Sequence, residues 1–268
     1  MKGETTISGK RAALVIAHPG HELRVHGWLE RAKPLVFVLT DGSGSQRESR
    51  LEHTTRLLES VGATSAVSTY GRFTDRQLYD ALLAGDHVLF RGLVGEITRE
   101  IGAVGDVAYV VCDALEEYNT GHDLCHLIAG AVAREAGLPL YDFPLIGRPD
   151  ACPAALEAGA LRLCLDDAAL ARKIAAARAN PDLTDEVERA LATVGADAFR
   201  VECLRPVPAD AADRTTAFPA AGKPHYEVYG EKQVAAGLYD TVIRRAEHVA
   251  PLAAALRKGP SPGSRAAA

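Results

Sequence analysis

The chain has 268 residues, of which 47% are hydrophobic and 24% are charged. This composition is typical of a globular protein and excludes a disordered or fibrous one. Because 30 Lys and Arg residues face 35 Asp and Glu residues, and no cationic block occurs, we expect no nucleic-acid partner.

Strands and helices alternate through the first 150 residues of the sequence. The predicted strands are short apolar runs at 12–17, 35–40, 64–70, 106–113 and 138–145. The predicted helices lie at 21–32, 47–61, 75–103 (broken near Gly85) and 122–136. Strands that are apolar throughout are typical of a parallel sheet covered on both faces. The sequence therefore predicts an α/β fold, a Rossmann-like doubly wound and mostly parallel sheet.

Beyond residue 150 this alternation weakens. The predicted elements there are a strand at 160–166, helices at 167–178 and 184–194, a strand at 199–204, a connection over 205–224 and a last helix over 231–257. We therefore expect a catalytic core over 1–150, a smaller C-terminal extension over 151–257 that covers one rim of it, and a flexible tail over 258–268.

Two close pairs of histidines follow predicted strands. His18 and His21 come directly after the first strand, and His122 and His126 follow the fourth. Ligands of an open parallel sheet bind at the carboxyl ends of its strands, where the strand order reverses. If the first and fourth strands flank that point, both pairs line one crevice. Three neutral imidazoles around an open fourth position describe a catalytic zinc site, although other divalent transition metals accept the same ligands.

The order of four segments resembles a known family. The runs LVIAHPGHE, FVLTDGSG, LLESVGA and GHDLCHLIAGAVAREAG lie in this order within about residues 10–140. They resemble the LmbE/PIG-L family of N-acetylglucosaminyl deacetylase-like enzymes, in which a His-Pro-Asp-Asp-Glu motif follows the first strand and a His-Pro-Asp-His motif opens a later helix. The resemblance implies a Rossmann-like fold, zinc, and hydrolysis of an N-acyl group on a sugar or pseudo-sugar.

The family's metal ligands can be carried over position by position. The resemblance implies that His18 is the first ligand, that His21 replaces the second aspartate of the first motif, and that His126 is the last histidine of the second motif. The position of the family's general base holds Gly20. Depending on a one-residue shift, Asp123 or His122 takes the place of the histidine that stabilises the oxyanion.

Because Gly20 cannot accept a proton, another residue must do so, a task typically worth about 10²–10⁴-fold in rate. Asp123 and Glu117 are the preferred candidates, and His122 and Glu22 complete the predicted catalytic set. Glu22 also fits a structural role, since an acidic residue in a first helical turn complements the helix dipole.

Four residues are predicted to contact the substrate. Asp41 and Asn119 lie on loops after the second and fourth strands, and His225 and Tyr226 precede the predicted last helix. Asp41 is followed by glycine, which also fits a turn in which its side chain binds nearby backbone. The segment around His225 either folds over the crevice or forms a surface turn.

We therefore predict a zinc-dependent amide hydrolase that acts on a small N-acyl metabolite or sugar-like conjugate. One alternative keeps the fold and the crevice but catalyses a non-hydrolytic biosynthetic step, such as a rearrangement, an elimination or C–N bond formation. Another is a non-catalytic relative that binds a ligand or a partner protein. The expected partner is a small-molecule substrate, and a homo-oligomer remains open.

The cysteines and the N-terminus bear on location. Five cysteines are widely spaced without a CxxC pair, which favours reduced thiols over a disulfide framework and excludes a thiolate zinc site. No apolar run approaches the roughly 18 residues of a membrane span, and the N-terminus lacks the apolar core of a signal peptide. We expect a cytoplasmic protein without a membrane partner.

Overall fold

The computed structural model describes residues 10–44, 48–152, 159–208 and 222–258. Within these ranges seven strands form one sheet. The strands are β1 Arg11–Ile16, β2 Leu35–Thr40, β3 Thr64–Phe73, β4 Val107–Asp113, β5 Leu140–Phe143, β6 Leu161–Cys164 and β7 Val201–Val207.

The helices of the same ranges surround this sheet. They are α1 His26–Ala32, α2 Leu51–Val61, α3 Asp75–Leu83, α4 His87–Val104, α5 Thr120–Ala136, α6 Asp167–Arg178, α7 Thr184–Val194, α8 His225–Ala235 and α9 Ala250–Arg257. Shorter helical turns include His21–Val25 and Pro181–Leu183, and a π-helical turn, Arg245–Val249, leads into α9. Within the described part of the chain, none of the helices is long and apolar enough to cross a bilayer.

The strand order is β3-β2-β1-β4-β5-β7-β6. Strand β1 pairs in parallel with β2 on one side and with β4 on the other. Strands β3 and β5 continue the parallel arrangement, and β7 and β6 add an antiparallel edge. This order confirms the predicted α/β doubly wound fold and puts the reversal of strand order between β1 and β4, where such sheets bind ligands.

Burial on both faces explains why the central strands are apolar throughout. In β1, Ala13 and Val15 face one hydrophobic core, to which α3, α4, α5 and α9 contribute side chains. Leu14 and Ile16 face the other core, formed with α1, α2 and α6. Alternate side chains of a strand point to opposite faces, so the buried residues 12–16 of β1 all require apolar side chains.

Some predicted elements differ from the structure. The helix predicted over 21–32 is a 3-10 turn followed by α1. The single helix predicted over 231–257 is wrong, because α8 ends at Ala235 and Gly237 adopts a left-handed conformation with φ 70°. A new helix, α9, starts only after the π-helical turn, with Pro251 in its first turn, where proline is favoured.

The predicted division of the chain at residue 150 remains a prediction. Strands β6 and β7 come from the predicted extension, yet they continue the sheet of the core through the pairing of β7 with β5. Most of the predicted connection over 205–224, namely 209–221, lies outside the described residues, as does the predicted tail from residue 259 onward.

A disulfide bond joins Cys152 to Cys203, whose Cα atoms are 6.0 Å apart. The prediction of five reduced thiols is therefore wrong for this pair, whereas Cys112, Cys125 and Cys164 are free. The two cysteines are 51 positions apart in the sequence. Cys203 lies on β7, which the sequence did not link to Cys152. Since disulfides persist mainly in oxidising compartments, the cytoplasmic prediction loses the support that it drew from the cysteines.

A buried ion pair fastens α6 to the sheet. Lys173 Nζ lies 2.8 Å from Glu202 Oε1, and both side chains are almost fully buried. Glu202 also accepts hydrogen bonds from the backbone N–H groups of Gly27 and Trp28, at 2.9 and 2.7 Å. One carboxylate therefore connects β7, α6 and the start of α1.

We expect Lys173→Met to destabilise the protein by about 3 kcal/mol, because it leaves the Glu202 carboxylate buried without its cation. Urea unfolding measures the difference. Arg172→Ala on the same helix is the matched control, since Arg172 pairs with Glu30 at the surface and such pairs contribute little. Equal midpoints for the two variants would contradict the structural role of the buried pair.

Candidate metal centre

Three histidines converge at the carboxyl ends of β1 and β4. One ligand nitrogen from each of His18, His21 and His122 lies within 4.8 Å of the others. The ring centroids are 5.1 Å apart for His18 and His21, 5.6 Å for His18 and His122, and 4.7 Å for His21 and His122. The three imidazoles could therefore hold one metal ion, and we call them the histidine cluster.

The cluster differs from the predicted ligand set in one member. His122 joins His18 and His21, whereas the Nδ1 of His126 donates a hydrogen bond to the backbone carbonyl of Asp113 at 3.1 Å. The physical reason is the rise of the helix, since two residues four positions apart are separated by about 6 Å along the axis. Only the first turn of α5 lies at the crevice.

A buried carboxylate orients His18. Asp75, the first residue of α3, accepts a hydrogen bond from His18 Nε2 at 2.9 Å. It also accepts hydrogen bonds from the Thr40 hydroxyl and the Gly44 N–H, both at 2.7 Å. Burial raises the pKa of Asp75, but these partners outweigh it and lower that pKa to about 2. Asp75 is therefore a carboxylate that fixes the ring of His18.

A second carboxylate orients His21. Asp113, the last residue of β4, accepts a hydrogen bond from His21 Nδ1 at 2.8 Å and another from the Ala17 N–H at 2.8 Å. Burial opposes ionisation of both groups, but their mutual attraction outweighs it, so the pKa of Asp113 is lowered and that of His21 is raised. Metal-binding histidines usually have such a carboxylate on the ring nitrogen that does not bind the metal.

His122 is the imidazole without such a partner. Burial and the neighbouring charge of His21 lower the pKa of His122 to about 3, so its ring is neutral at pH 7. Its Nδ1 is buried and has no hydrogen-bond partner among the described residues. A neutral imidazole with an unused nitrogen is the form that binds a metal ion. The donor set therefore fits zinc.

Glycine at the start of α5 makes room for the cluster. The side chain of Asn119 caps the helix by accepting a hydrogen bond from the Gly121 N–H at 2.7 Å. A Cβ atom on Gly121 would lie 2.7 Å from Cε1 of His18. A residue with a side chain would therefore push the His18 ring away from the cluster.

Gly20 is also constrained, so that a side chain is disfavoured at this position. Its φ of 100° is disfavoured for residues with a side chain. A Cβ atom there would lie 2.6 Å from Cδ1 of Leu183, at the end of the turn Pro181–Leu183. The C-terminal part of the chain therefore occupies the space next to Gly20.

Two of the predicted catalytic acids have structural partners. Glu22 is fully buried, and its carboxylate accepts hydrogen bonds from the Thr54 hydroxyl at 2.7 Å and the Gly20 N–H at 2.8 Å. It therefore holds the turn that carries His21. Glu117, which has a left-handed φ of 53°, forms an ion pair with Arg245.

Asp123 is wholly buried beneath the loop between β4 and α5. Its Oδ1 accepts hydrogen bonds from the backbone N–H groups of Glu116 and Glu117, at 3.2 and 3.1 Å. Burial raises the pKa of Asp123 to about 7. Its Oδ2 has no hydrogen-bond partner among the described residues. The contacts of Asp123 thus order this loop.

The sequence prediction did not single out Glu186, an acid of the C-terminal part. Glu186 lies in the first turn of α7, one turn after Leu183, and its side chain is exposed. Burial lowers the pKa of His21, but the charges of Asp113, Glu22 and Glu186 together raise it. The charge of Glu186 is the last and smallest of these contributions to the pKa of His21.

The predicted substrate residues divide into exposed and buried ones. Asp41 accepts a hydrogen bond from the Ser43 N–H at 2.9 Å. This is the contact expected if Asp41 forms a turn instead of binding substrate. His225 is exposed and its ring stacks on Tyr118 with centroids 4.1 Å apart. Tyr226 is buried, and its hydroxyl has no hydrogen-bond partner in the described ranges.

Asp75 was also missed, because it lies far from the histidines in sequence. One local signal could have found it: Thr74 and Gln77 form a capping box, so a helix begins directly after β3. A helix that starts there begins at the same sheet edge as the turn after β1. An acidic residue in its first position is thus brought next to His18.

Two solved structures that are similar to this chain are those of deacetylases from antibiotic biosynthesis. The crystal structure of the antimicrobial reagent A40926 pseudoaglycone deacetylase Dbv21 has a TM-score of 0.50 and 19% identity over 74% of this chain and 96% of that chain. The zinc-inhibited form of teicoplanin deacetylase Orf2 has a TM-score of 0.47 and 14% identity over 73% of this chain and 97% of its own. The likeness to Dbv21 supports the fold alone. Neither a protein-family model nor a curated protein matches the sequence.

We expect Gly121→Ala to weaken cobalt binding, because the new methyl group displaces the His18 ring. Titration of metal-free protein with Co²⁺, followed by visible absorption, measures the effect. Gly130→Ala on the same helix is the control, since its nearest neighbour would be at 3.9 Å. Indistinguishable cobalt titrations for the two variants would show that His18 does not need this space.

Proposed function

We propose that this protein is a metal-dependent amide hydrolase of the deacetylase type, which removes an acyl group from the nitrogen of a small, sugar-like molecule. The observation that carries the proposal is the histidine cluster, with two imidazoles held by buried carboxylates, at the point where the strand order reverses. The similarity to the deacetylase Dbv21 and the resemblance to the LmbE/PIG-L family support the proposal.

Within this proposal the imidazoles of His18, His21 and His122 would hold zinc or a similar divalent ion, for which neutral histidine nitrogens are suitable ligands. When bound, such an ion polarises an acyl oxygen and lowers the pKa of water. The carboxylates of Asp75 and Asp113 keep the first two rings in the tautomer and orientation that ligation requires.

If His122 is a ligand in place of His126, the motif that resembles the family's second motif begins one helical turn earlier in the sequence. If His122 is the last histidine of that motif, its first histidine corresponds to Asn119. The side-chain oxygen of Asn119 is occupied by the Gly121 N–H, but its NH₂ group makes no hydrogen bond to the described residues. We therefore propose that this NH₂ group donates to the oxyanion that forms at the acyl carbon.

The remaining requirement is an acceptor for the proton of the attacking water. Most acids around the cluster already have partners, and Asp123 is wholly buried. Glu186 is exposed, and it forms no ion pair among the described residues. We propose that Glu186 accepts this proton, as a substitute for the carboxylate that position 20 lacks, and returns it to the leaving amine.

The metal assignment predicts different results for two histidines of one helix. We expect His122→Ala to reduce zinc below a tenth of an equivalent, because only two imidazoles remain, and His126→Ala to keep about one equivalent. Mass spectrometry of the purified proteins measures the metal. If His126→Ala loses the zinc and His122→Ala retains it, the predicted set with His126 is restored.

The proton acceptor is tested with Glu186→Gln. We expect the release of free amine from N-acetylated amino sugars to fall by about 10²–10⁴-fold while the zinc content is unchanged. Glu188→Gln on the same helix, which breaks a surface pair with Arg178, is the control. A loss in Asp123→Asn at unchanged stability, with Glu186→Gln fully active, would move the role to Asp123. A zinc-loaded protein that releases amine from none of these sugars favours the non-hydrolytic alternative.

A further inference from the structure

Helix α3 contacts the residues of the candidate site at two points, one helical turn apart. Its first residue, Asp75, accepts a hydrogen bond from His18. Tyr79 lies four residues later, on the same face of the helix. The hydroxyl of Tyr79 donates a hydrogen bond to the side-chain oxygen of Asn119 at 3.4 Å. One helix therefore supports both a member of the histidine cluster and the residue that caps α5.

The side chain of Asn119 lies next to the histidine cluster. A Cβ atom placed on Gly121 would lie 2.9 Å from Nε2 of His18 and 3.2 Å from Oδ1 of Asn119. The same small space is therefore bordered both by a member of the cluster and by the amide of Asn119. Asn119 is half-buried, so its side chain remains partly accessible from the crevice.

The hydrogen bonds of Asn119 determine which end of its amide is free. The Gly121 N–H lies 2.7 Å from the Asn119 side chain and can only donate, so the atom that it contacts is the amide oxygen. The same oxygen also accepts the hydroxyl of Tyr79. Because the oxygen is used twice, the NH₂ group is the end that remains available to a bound molecule.

Tyr79 is suited to hold this amide in place. Burial and the charge of Asp75 raise the pKa of Tyr79, so its hydroxyl keeps its proton and donates at neutral pH. The neighbouring Leu78 and, one turn further on, Leu82 are buried in the core and anchor α3. The hydroxyl is therefore presented from a helix whose position is fixed by packing.

We propose that Tyr79 is a positioning residue, whose hydroxyl holds the Asn119 amide so that its NH₂ group faces the acyl oxygen of a substrate. This inference rests on the proposed function, which assigns that NH₂ group to the oxyanion. The negative charge develops only in the transition state, so its donor is most effective when it is already in place. Loss of one hydrogen bond between neutral groups is expected to cost roughly two- to tenfold in rate.

Tyr79→Phe tests the proposal, because it keeps the ring and removes the hydroxyl. We expect kcat for amine release from an N-acetylated amino sugar to fall about two- to tenfold, with KM and zinc content unchanged. In the Asn119→Ser background, which keeps a good capping residue but lacks the amide, the same change should have no further effect. Tyr70→Phe is the control, since the Tyr70 hydroxyl contacts that of Thr55 at 3.0 Å.

A second measurement requires no catalysis. The ¹⁵N relaxation of the Asn119 side-chain NH₂ group, assigned by its loss in Asn119→Ser, reports how rigidly the amide is held. We expect a rigid NH₂ group in the unaltered protein and in Tyr70→Phe, and a mobile one in Tyr79→Phe.

An NH₂ group that is equally rigid in Tyr79→Phe would overturn the proposal. A fall in kcat that is just as large in the Asn119→Ser background would also overturn it, and so would a rise in KM at unchanged kcat. If the unaltered protein releases no amine, the proposed hydrolysis fails, and the relaxation measurement still decides whether Tyr79 holds Asn119.

Discussion

The carboxylate of Asp113 joins the two strands on which the candidate site depends. One of its oxygens accepts the Ala17 N–H, directly after the end of β1, and also the Nδ1 of His21. Because β1 and β4 are neighbours in the sheet, a side chain at the end of one strand can fasten the turn that follows the other. The orientation of His21, and through it the geometry of the cluster, rests on this one buried group.

The hydrogen bonds that orient His18 come from the other side of β1, from the ends of β2 and β3. Thr40 at the end of β2 donates to Asp75, which follows β3, and Asp75 in turn holds His18 after β1. The residues that orient the cluster therefore come from the ends of four adjacent strands. Such a site is positioned by the sheet, the most rigid part of the fold, and only the residues that would contact substrate lie on loops and on α8.

The fold and two of the three clustered histidines could be predicted from the sequence. Apolar strands with intervening helices predict the parallel sheet, and the spacing of His18 and His21 across a strand-to-helix turn predicts two members of the cluster. His122 could not be distinguished from His126 because both lie on one helical face, and only the start of α5 at Thr120 decides between them. The contact of Leu183 with Gly20 had no local signal, since it follows from how the C-terminal part packs against the first turn.

The packing of Leu183 on Gly20 restricts which substitutions these two positions accept. An acidic residue at position 20 is opposed by both the left-handed backbone and the leucine. A smaller residue at position 183 would open this space, but it would also bury less apolar surface. The residues at positions 20 and 183 are therefore coupled, so that each restricts which side chains the other can have.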